Sequence, residues 1–155
     1  MLEFIAARGS ASFLQTPAWA RVKSEWRGER VGFYDGDELT GVGLILYRKL
    51  PKLPRYLAYL PEGPVLDWSR DDIAEHFDAL VTHVKKRQAF AVRIGPAVVH
   101  RIWGTKTIKT AIADDNITSL TEVEPDVVTP EGEHVVSVLK QGGWITDETD
   151  QGFAA

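Results

Sequence analysis

Cysteine is missing from this sequence of 155 residues. Its absence excludes disulfide bonds, thiolate metal sites and cysteine catalysis together. Long apolar runs are missing too, since no stretch approaches the roughly 20 apolar residues that a membrane-spanning helix needs. The amino terminus also lacks the basic-then-apolar layout of a signal peptide. We therefore expect a soluble domain that stays in the cytoplasm.

A strong charge of either sign is absent. The chain has 18 Lys+Arg against 22 Asp+Glu, a formal net charge of -4, which argues against a general polyanion binder. Basic residues do concentrate between Tyr47 and Tyr56, where the sequence carries Arg48, Lys49, Lys52 and Arg55. This segment is interpreted either as a contact for tRNA or an anionic membrane surface, or as a solvated sheet edge protected by charge and proline.

Several common site motifs are missing. The sequence has no phosphate-binding P-loop, no GxGxxG and no GxSxG nucleophile motif. The histidines show none of the spacings typical of metal sites, so they are interpreted as surface residues and no metal is predicted. These residues are His76, His83, His100 and His134.

Capping residues, turns and apolar spacing predict a series of helices and strands. Thr16 and Pro17 start a helix over Ala18–Trp26 that ends at Gly28. Ser69 and Asp72 form a capping box for a second helix, and Pro130 starts a third that ends at Gly142. The apolar stripe of the second helix is Ile73, Phe77, Leu80, Val81 and Val84.

The predicted strands surround these helices. They cover Arg30–Tyr34, Leu39–Leu50, Tyr56–Leu60 and the buried segment Ala89–Ile94, and a last extended segment begins at Trp144–Ile145. Residues 100–130 are an irregular region or insertion in this scheme, with a helix open as an interpretation for Ile102–Asp115. The order predicts an α+β fold with a central mixed sheet flanked by helices.

Three motifs stand above this background. The first runs from Gln15 through Trp19 to Lys23 and fits Q-[ST]-x-x-W-x-x-[VL]-K. The second, from Tyr59 to Asp67, fits Y-x-x-x-GP-V-x-D, and the third is the strand end Phe90–Pro96. Together they resemble the FemABX family of peptidoglycan peptidyltransferases.

The resemblance implies a GNAT-like acyltransferase fold. It covers the first of the two GNAT-like domains of the family, so residues 1–155 are expected to be one such domain, the N-terminal part of a longer two-domain protein. The acyl-CoA-binding loop [QR]xxGx[GA] of ordinary GNAT acetyltransferases is not found, which disfavours a simple acetyl-CoA enzyme.

The resemblance also implies an activity. Family members transfer amino acids from aminoacyl-tRNA to the stem peptide of a peptidoglycan precursor, which is either UDP-muramyl pentapeptide or its lipid-linked form. Aminoacyl-tRNA is then a co-substrate that binds mainly to the second domain, and no other cofactor is expected. The protein would work in the cytoplasm, with peripheral association at the inner face of the membrane left open.

Site residues follow from the same motifs. Lys23 matches a lysine that approaches the precursor diphosphate, with a solvated helix lysine as the alternative. Arg93 is a candidate for binding a carboxylate or phosphate, with pairing to an internal acid as the alternative. Phe90 and Tyr59 are further candidates for the substrate site, although packing is an alternative for both. Gly95 stands where relatives can carry an acid, so no catalytic residue is assigned.

Two other functions remain open at this point. A free-standing N-acyltransferase that uses acyl-CoA would share the order of strands. A non-catalytic binding or assembly domain would explain the missing acid at Gly95.

Overall fold

The computed structural model describes residues 1–8 and 11–146 of the chain. Residue contacts divide the chain into two units, Met1–Val99 and His100–Ala155. The predicted motifs all fall in the first unit. Its elements, in chain order, are α1 (Leu2–Ala6), a 3₁₀ turn (Phe13–Gln15), α2 (Pro17–Val22), β1 (Arg27–Asp35), β2 (Glu38–Lys49), β3 (Tyr56–Leu60), β4 (Val65–Leu66), α3 (Ile73–Lys86) and β5 (Ala89–Ile94).

The first unit is built around a mixed sheet in the order β1-β2-β3-β5, with the short β4 paired to β2. Strands β1, β2 and β3 form an antiparallel meander, and β5 pairs parallel to β3. A parallel neighbour needs a crossover connection, and α3 supplies it. The mixed α+β fold predicted from the sequence is confirmed.

Helices pack on both faces of β2, whose side chains alternate between the two faces beyond the irregularity opposite Phe33 and Tyr34. Leu44 and Leu46 point to the face on which Trp19, Ala20 and Trp26 pack. The residues between them point to the other face, where α3 lies with its buried stripe Ile73, Phe77, Leu80 and Val84. Because successive side chains of a strand alternate, both sets come from one 12-residue strand. Gly41 lies on the α3 side, where an added Cβ would collide with Leu66.

Helix α2 is shorter than the spacing of its aromatic residues predicts. It ends at Val22, and Gly28, the predicted helix end, lies inside β1. The Trp26 amide donates to the Lys23 carbonyl at 2.9 Å, which closes a turn between helix and strand. Trp26 nevertheless packs against the core beside Trp19. The helical spacing was therefore misleading, because a turn can bring the same side chains to one surface.

The predicted capping box of α3 is wrong. The helix begins at Ile73, and no side chain caps it. The Ser69 hydroxyl donates instead to Asp67 Oδ1 at 2.6 Å, and Asp72 pairs with Arg70. Hydrogen bonds from the Ser69 hydroxyl and amide lower the pKa of Asp67. Asp67 thus organises the loop before α3.

Strand β5 has the predicted bounds but a different environment. It lies at the edge of the sheet, and its side chains are half-buried or exposed. The apolar sequence of the strand predicted full burial, which is wrong. Strand β4 was not predicted, because two residues after a proline carry too little pattern to indicate a strand.

His76 corrects the interpretation of the histidines as surface residues. It lies on the inner side of α3 and is 8% exposed. Its Nε2 is 2.8 Å from the Thr40 hydroxyl, and its Nδ1 is 3.0 Å from the Asp72 carbonyl. The ring also packs on Phe33, with the ring centres 5.5 Å apart. His76 is therefore a hydrogen-bonded core residue.

The second unit contains short elements up to its last helix. These are β6 (Arg101–Ile102), α4 (Thr105–Ile112), a 3₁₀ turn (Leu120–Glu122), β7 (Val127–Val128) and α5 (Pro130–Gln141). The helix considered for Ile102–Asp115 is confirmed only over Thr105–Ile112. The predicted start of α5 is confirmed, and the Thr129 hydroxyl caps it by accepting from the Gly132 amide at 3.1 Å.

The end of α5 also follows the prediction. Gly142 is the last capping residue, and Gly143 has a φ of 75°, which glycine adopts without strain. The extended segment predicted from Trp144 has no strand assigned up to Thr146, and residues 147–155 lie outside the described part of the chain. No helix within the described ranges has both the length and the apolarity that crossing a membrane requires.

Candidate functional site

The three sequence motifs meet at one point of the first unit. Gln15 is fully buried, and its side-chain amide group joins two distant backbone segments. Its Oε1 accepts from the Leu44 amide at 2.9 Å, and its Nε2 donates to the Pro61 carbonyl. The first motif is thereby fixed to β2 and to the loop of the second motif. We call Gln15, Leu44, Pro61, Gly63 and Gly95 the motif junction.

Two glycines complete the motif junction. An added Cβ at Gly63 would overlap the carboxamide of Gln15, so a side chain there is excluded. The Gly95 amide donates to the Gly63 carbonyl at 3.1 Å, which ties the third motif to the second. Gly63 and Pro64 are joined by a cis peptide bond. The glutamine of the first motif and the glycine of the second are thus explained by their contacts in the structure.

Glu62 brings a carboxylate to the motif junction. Its side chain is exposed, and its φ of 46° lies in the left-handed region that non-glycine residues rarely adopt. A Cβ at Gly95 would stand 3.4 Å from the Glu62 nitrogen and 3.7 Å from its Cα. The backbone of an acidic residue on the adjacent loop therefore lies beside Gly95.

Tyr59 and Arg93 are direct partners across the parallel pair of β3 and β5. Tyr59 is buried, while Arg93 is exposed at the edge strand. Burial raises the pKa of the Tyr59 hydroxyl; the positive charge of Arg93 opposes this shift, and the negative charge of Glu62 adds to it. The carboxyl end of the parallel pair thus has a guanidinium and a carboxylate that both act electrostatically on the buried phenol of Tyr59.

Lys23 lies on the same face of the sheet. Its Nζ is 5.6 Å from the centre of the Trp19 ring, a cation–aromatic contact. Trp19 and Trp26 pack against the buried cluster that includes Tyr59. The Trp26 and Tyr59 rings have centres 6.1 Å apart. Lys23 and Tyr59 are therefore connected through aromatic packing, and both of the tryptophans are half-buried.

Phe90 stands apart from these residues. It lies near the start of β5, whereas Arg93 and Gly95 lie at its end, and its side chain is 54% exposed. Three residues of extended strand span about 10 Å. Phe90 is therefore neither packed in the core nor next to Tyr59. Its role in substrate binding stays a prediction.

The arrangement offers binding groups of complementary kinds. Lys23 and Arg93 can attract phosphate or carboxylate oxygens, and the carboxylate of Glu62 can attract an ammonium group. Within the described ranges, no three histidine and carboxylate side chains come together in a way that could hold a metal ion. What the residues can do here is to bind and orient charged groups and to accept a proton.

Two residues of this surface were missed in the sequence. Glu62 lies inside the second motif, at a position where the motif allows any residue. Arg48 was assigned to a basic loop, yet it is the next residue but one after Leu46 on β2, so the alternation of that strand could have placed it on the same face.

The fold and the motif junction define a protein of mixed α+β type with a central mixed sheet. Residues 2–123 match the FemAB family. The chain therefore belongs to the FemAB family.

Known proteins support this assignment over part of their length. The chain is 34% identical to the lipid II:glycine glycyltransferase of Staphylococcus saprophyticus over 98 residues. This aligned segment is 61% of this chain and 24% of that protein. The enzymes of the same name from Staphylococcus haemolyticus and Staphylococcus aureus are 35% and 31% identical over 98 residues, again 61% of this chain and 23% of theirs.

The fold has a solved counterpart. The crystal structure of FemX aligns with 91% of this chain and 29% of its own, with a TM-score of 0.59 and 25% sequence identity. The chain thus spans about a quarter to a third of the length of the relatives that it matches.

Proposed function

We propose that this chain is part of an aminoacyltransferase that adds an amino acid from aminoacyl-tRNA to the stem peptide of a peptidoglycan precursor. The observation that carries the proposal is the motif junction, where all three family motifs are joined by hydrogen bonds of Gln15 and Gly63. Membership of the FemAB family and similarity to lipid II:glycine glycyltransferases support it.

The proposed reaction is an aminolysis. The stem-peptide amine attacks the ester carbonyl of the aminoacyl group, a new amide bond forms, and the ester bond to the tRNA ribose oxygen breaks. Starting from its ammonium form, the amine loses two protons: the first leaves before the attack and is accepted by a carboxylate, and the second goes to the leaving ribose oxygen. Since the ester is already activated, holding the two substrates in position supplies much of the rate enhancement. Glu62 is suitably charged to hold the ammonium group and to take up its proton.

The charged residues of the surface then have separate roles. Lys23 binds the diphosphate of the precursor, and Arg93 binds a carboxylate or phosphate oxygen beside Tyr59. Phe90 supplies an exposed apolar surface further along β5. A lipid-linked precursor would bring the enzyme to the inner face of the membrane, and tRNA would bind mainly to a second domain.

The proposal is tested by binding of UDP-muramyl pentapeptide, measured by calorimetry. We expect Lys23→Ala to weaken binding about tenfold, because a charged hydrogen bond to phosphate is lost. Lys49→Ala is the control, since it removes the same charge at an exposed residue that follows Arg48 on β2 and points to the opposite face. Equal affinities for the two variants would remove Lys23 from the site.

A non-catalytic assembly domain is the second candidate, and the glycine at position 95 favours it. The two candidates differ in turnover. Two results together would identify the enzyme: the intact protein transfers the amino acid, and Glu62→Gln abolishes this transfer while the precursor still binds.

A further inference from the structure

A second cation lies on the face of the sheet that carries Lys23. Arg48 follows Leu44 and Leu46 at the same two-residue spacing on β2, so its side chain points to the side where Trp19 and Trp26 pack. Its guanidinium carbon is 5.6 Å from the centre of the Trp26 ring. Arg48 is exposed, but its guanidinium group makes a cation–aromatic contact with the indole of Trp26.

One turn connects this cation with Lys23. The Trp26 amide donates to the Lys23 carbonyl at 2.9 Å, a hydrogen bond that closes a four-residue turn. The ends of such a turn lie within about 7 Å of each other. The turn therefore carries Lys23 at its start and supports Arg48 through the ring of Trp26 at its end. Lys23 and Arg48, which come from different parts of the chain, therefore both contact or belong to this one turn.

We propose that Arg48 is a second residue that binds the diphosphate of the precursor, beside Lys23. This inference rests on the proposed function. A diphosphate carries charge on two neighbouring groups, and a planar guanidinium group binds phosphate oxygens in a bidentate manner while lysine acts as a point charge. The contact with Trp26 restricts the side chain before binding, so less conformational entropy is lost. UDP-linked and lipid-linked precursors share this diphosphate.

The chain offers a matched control for Arg48. Arg27 pairs with Tyr47 across β1 and β2, and its guanidinium carbon is 5.7 Å from the centre of the Tyr47 ring. Tyr47 precedes Arg48 in the same strand, so this second arginine–aromatic contact lies on the opposite face of the sheet. Arg27→Met and Arg48→Met remove the same charge and the same kind of contact from the two faces.

The first measurement is calorimetric binding of UDP-muramyl pentapeptide to the full chain. We expect Arg48→Met to weaken binding about tenfold and Arg27→Met to change it less than about twofold. Muramyl pentapeptide without phosphate should bind both variants equally, because the interaction is with the diphosphate. Arg48→Lys keeps the charge without the bidentate geometry, and an intermediate affinity is expected; this variant also replaces the methionine variant if the latter does not fold.

A second probe separates this inference from the proposed function. Inorganic pyrophosphate is titrated while the indole signal of Trp26 is followed by NMR. Equal affinities of Arg48→Met and Arg27→Met for the UDP-linked precursor would overturn the role of Arg48 and leave precursor binding intact. If the unchanged chain fails to bind the precursor but pyrophosphate still shifts the Trp26 signal in an Arg48-dependent way, the anion site stands and the proposed function falls. No response of Trp26 to pyrophosphate would overturn the anion site.

Discussion

Gln15 holds together three parts of the backbone that are far apart in sequence. Its carboxamide accepts a hydrogen bond from the Leu44 amide, donates one to the Pro61 carbonyl, and lies against Gly63. A glutamine can do this because its side chain ends in both a donor and an acceptor. Leucine would leave both backbone groups unpaired, and glutamate would lose the donor. The family motif at this position therefore has a structural explanation that requires no contact with substrate.

The first prediction concerns this residue. Gln15→Ala should lower the free energy of unfolding by about 3 kcal/mol, since two buried backbone groups lose their partners at about 1–3 kcal/mol each. Urea denaturation measures the loss. Gln141→Ala, at an exposed position of α5, is the control and should cost less than about 0.5 kcal/mol. A loss below about 1 kcal/mol for Gln15→Ala would mean that the motif junction does not depend on Gln15.

Residues of the binding surface were only partly predictable. Tyr59 and Arg93 could be expected near each other, because their motifs end neighbouring strands. The place of Glu62 depends on a left-handed backbone conformation that no local pattern of the sequence indicates. Phe90 was grouped with them because it belongs to the same motif, but extended strand separates it from Arg93.

At the scale of elements, a partly buried ion cluster joins α3 to the sheet. Glu29 on β1 accepts from the Tyr47 hydroxyl at 2.8 Å and from Arg87 Nη2 at 2.8 Å. His83 Nε2 is 3.2 Å from the same carboxylate. Burial alone would raise the pKa of Glu29, but the hydrogen bonds from Arg87, Tyr47 and His83 outweigh it and lower the pKa to about 2.

This cluster predicts a pH dependence of stability. A pKa lowered from 4.5 to about 2 means that the ionised carboxylate stabilises the fold above about pH 4.5, and that this contribution is lost as the pH falls toward 2. The full shift corresponds to about 3 kcal/mol, and we expect about 2 kcal/mol because the cluster is partly open to solvent. Glu29→Gln should therefore be less stable at pH 7 and should lose part of the decline in stability below pH 4.5.

The control for this measurement is Glu38→Gln. Glu38 is exposed at the start of β2, so its replacement should leave the pH profile of the unchanged chain in place. Urea unfolding at a series of pH values compares the three proteins. A Glu29→Gln profile parallel to that of the unchanged chain would show that the cluster does not couple protonation to folding.

Element bounds were predicted best where a local signal decides them. The proline at position 130 marks the start of α5 correctly. The gap between the predicted strands Arg30–Tyr34 and Leu39–Leu50 is a turn in the structure, and Gly36 has the positive φ of 57° that such a turn needs. The end of α2 and the cap of α3 were missed, because Trp26 packs from a turn and Asp72 is taken by Arg70. The exposure of β5 was missed for another reason: whether a strand lies at an edge depends on the order of strands in the sheet.

At the scale of the whole molecule, the division at residue 100 separates the family motifs from the rest. All three motifs and the motif junction lie in the first unit. The second unit consists of short elements before α5, in the region that the sequence indicated as irregular. Three short motifs were sufficient to indicate the family, because each is fixed by backbone geometry or burial at one junction.

The last prediction concerns the natural length of the protein. The aligned part of this chain covers 23–24% of the glycyltransferases that it matches. We propose that the chain is the N-terminal GNAT-like domain of a two-domain enzyme. Two domains of ordinary size would give this enzyme a mass of about 40 kDa. Intact-mass measurement of the protein purified from the cells that express it tests this, with tryptic peptides that extend beyond Ala155 as the internal control. A natural product of 17.3 kDa would contradict the two-domain proposal and would favour the assembly-domain function, because the transferase proposal assigns most of the tRNA binding to a second domain.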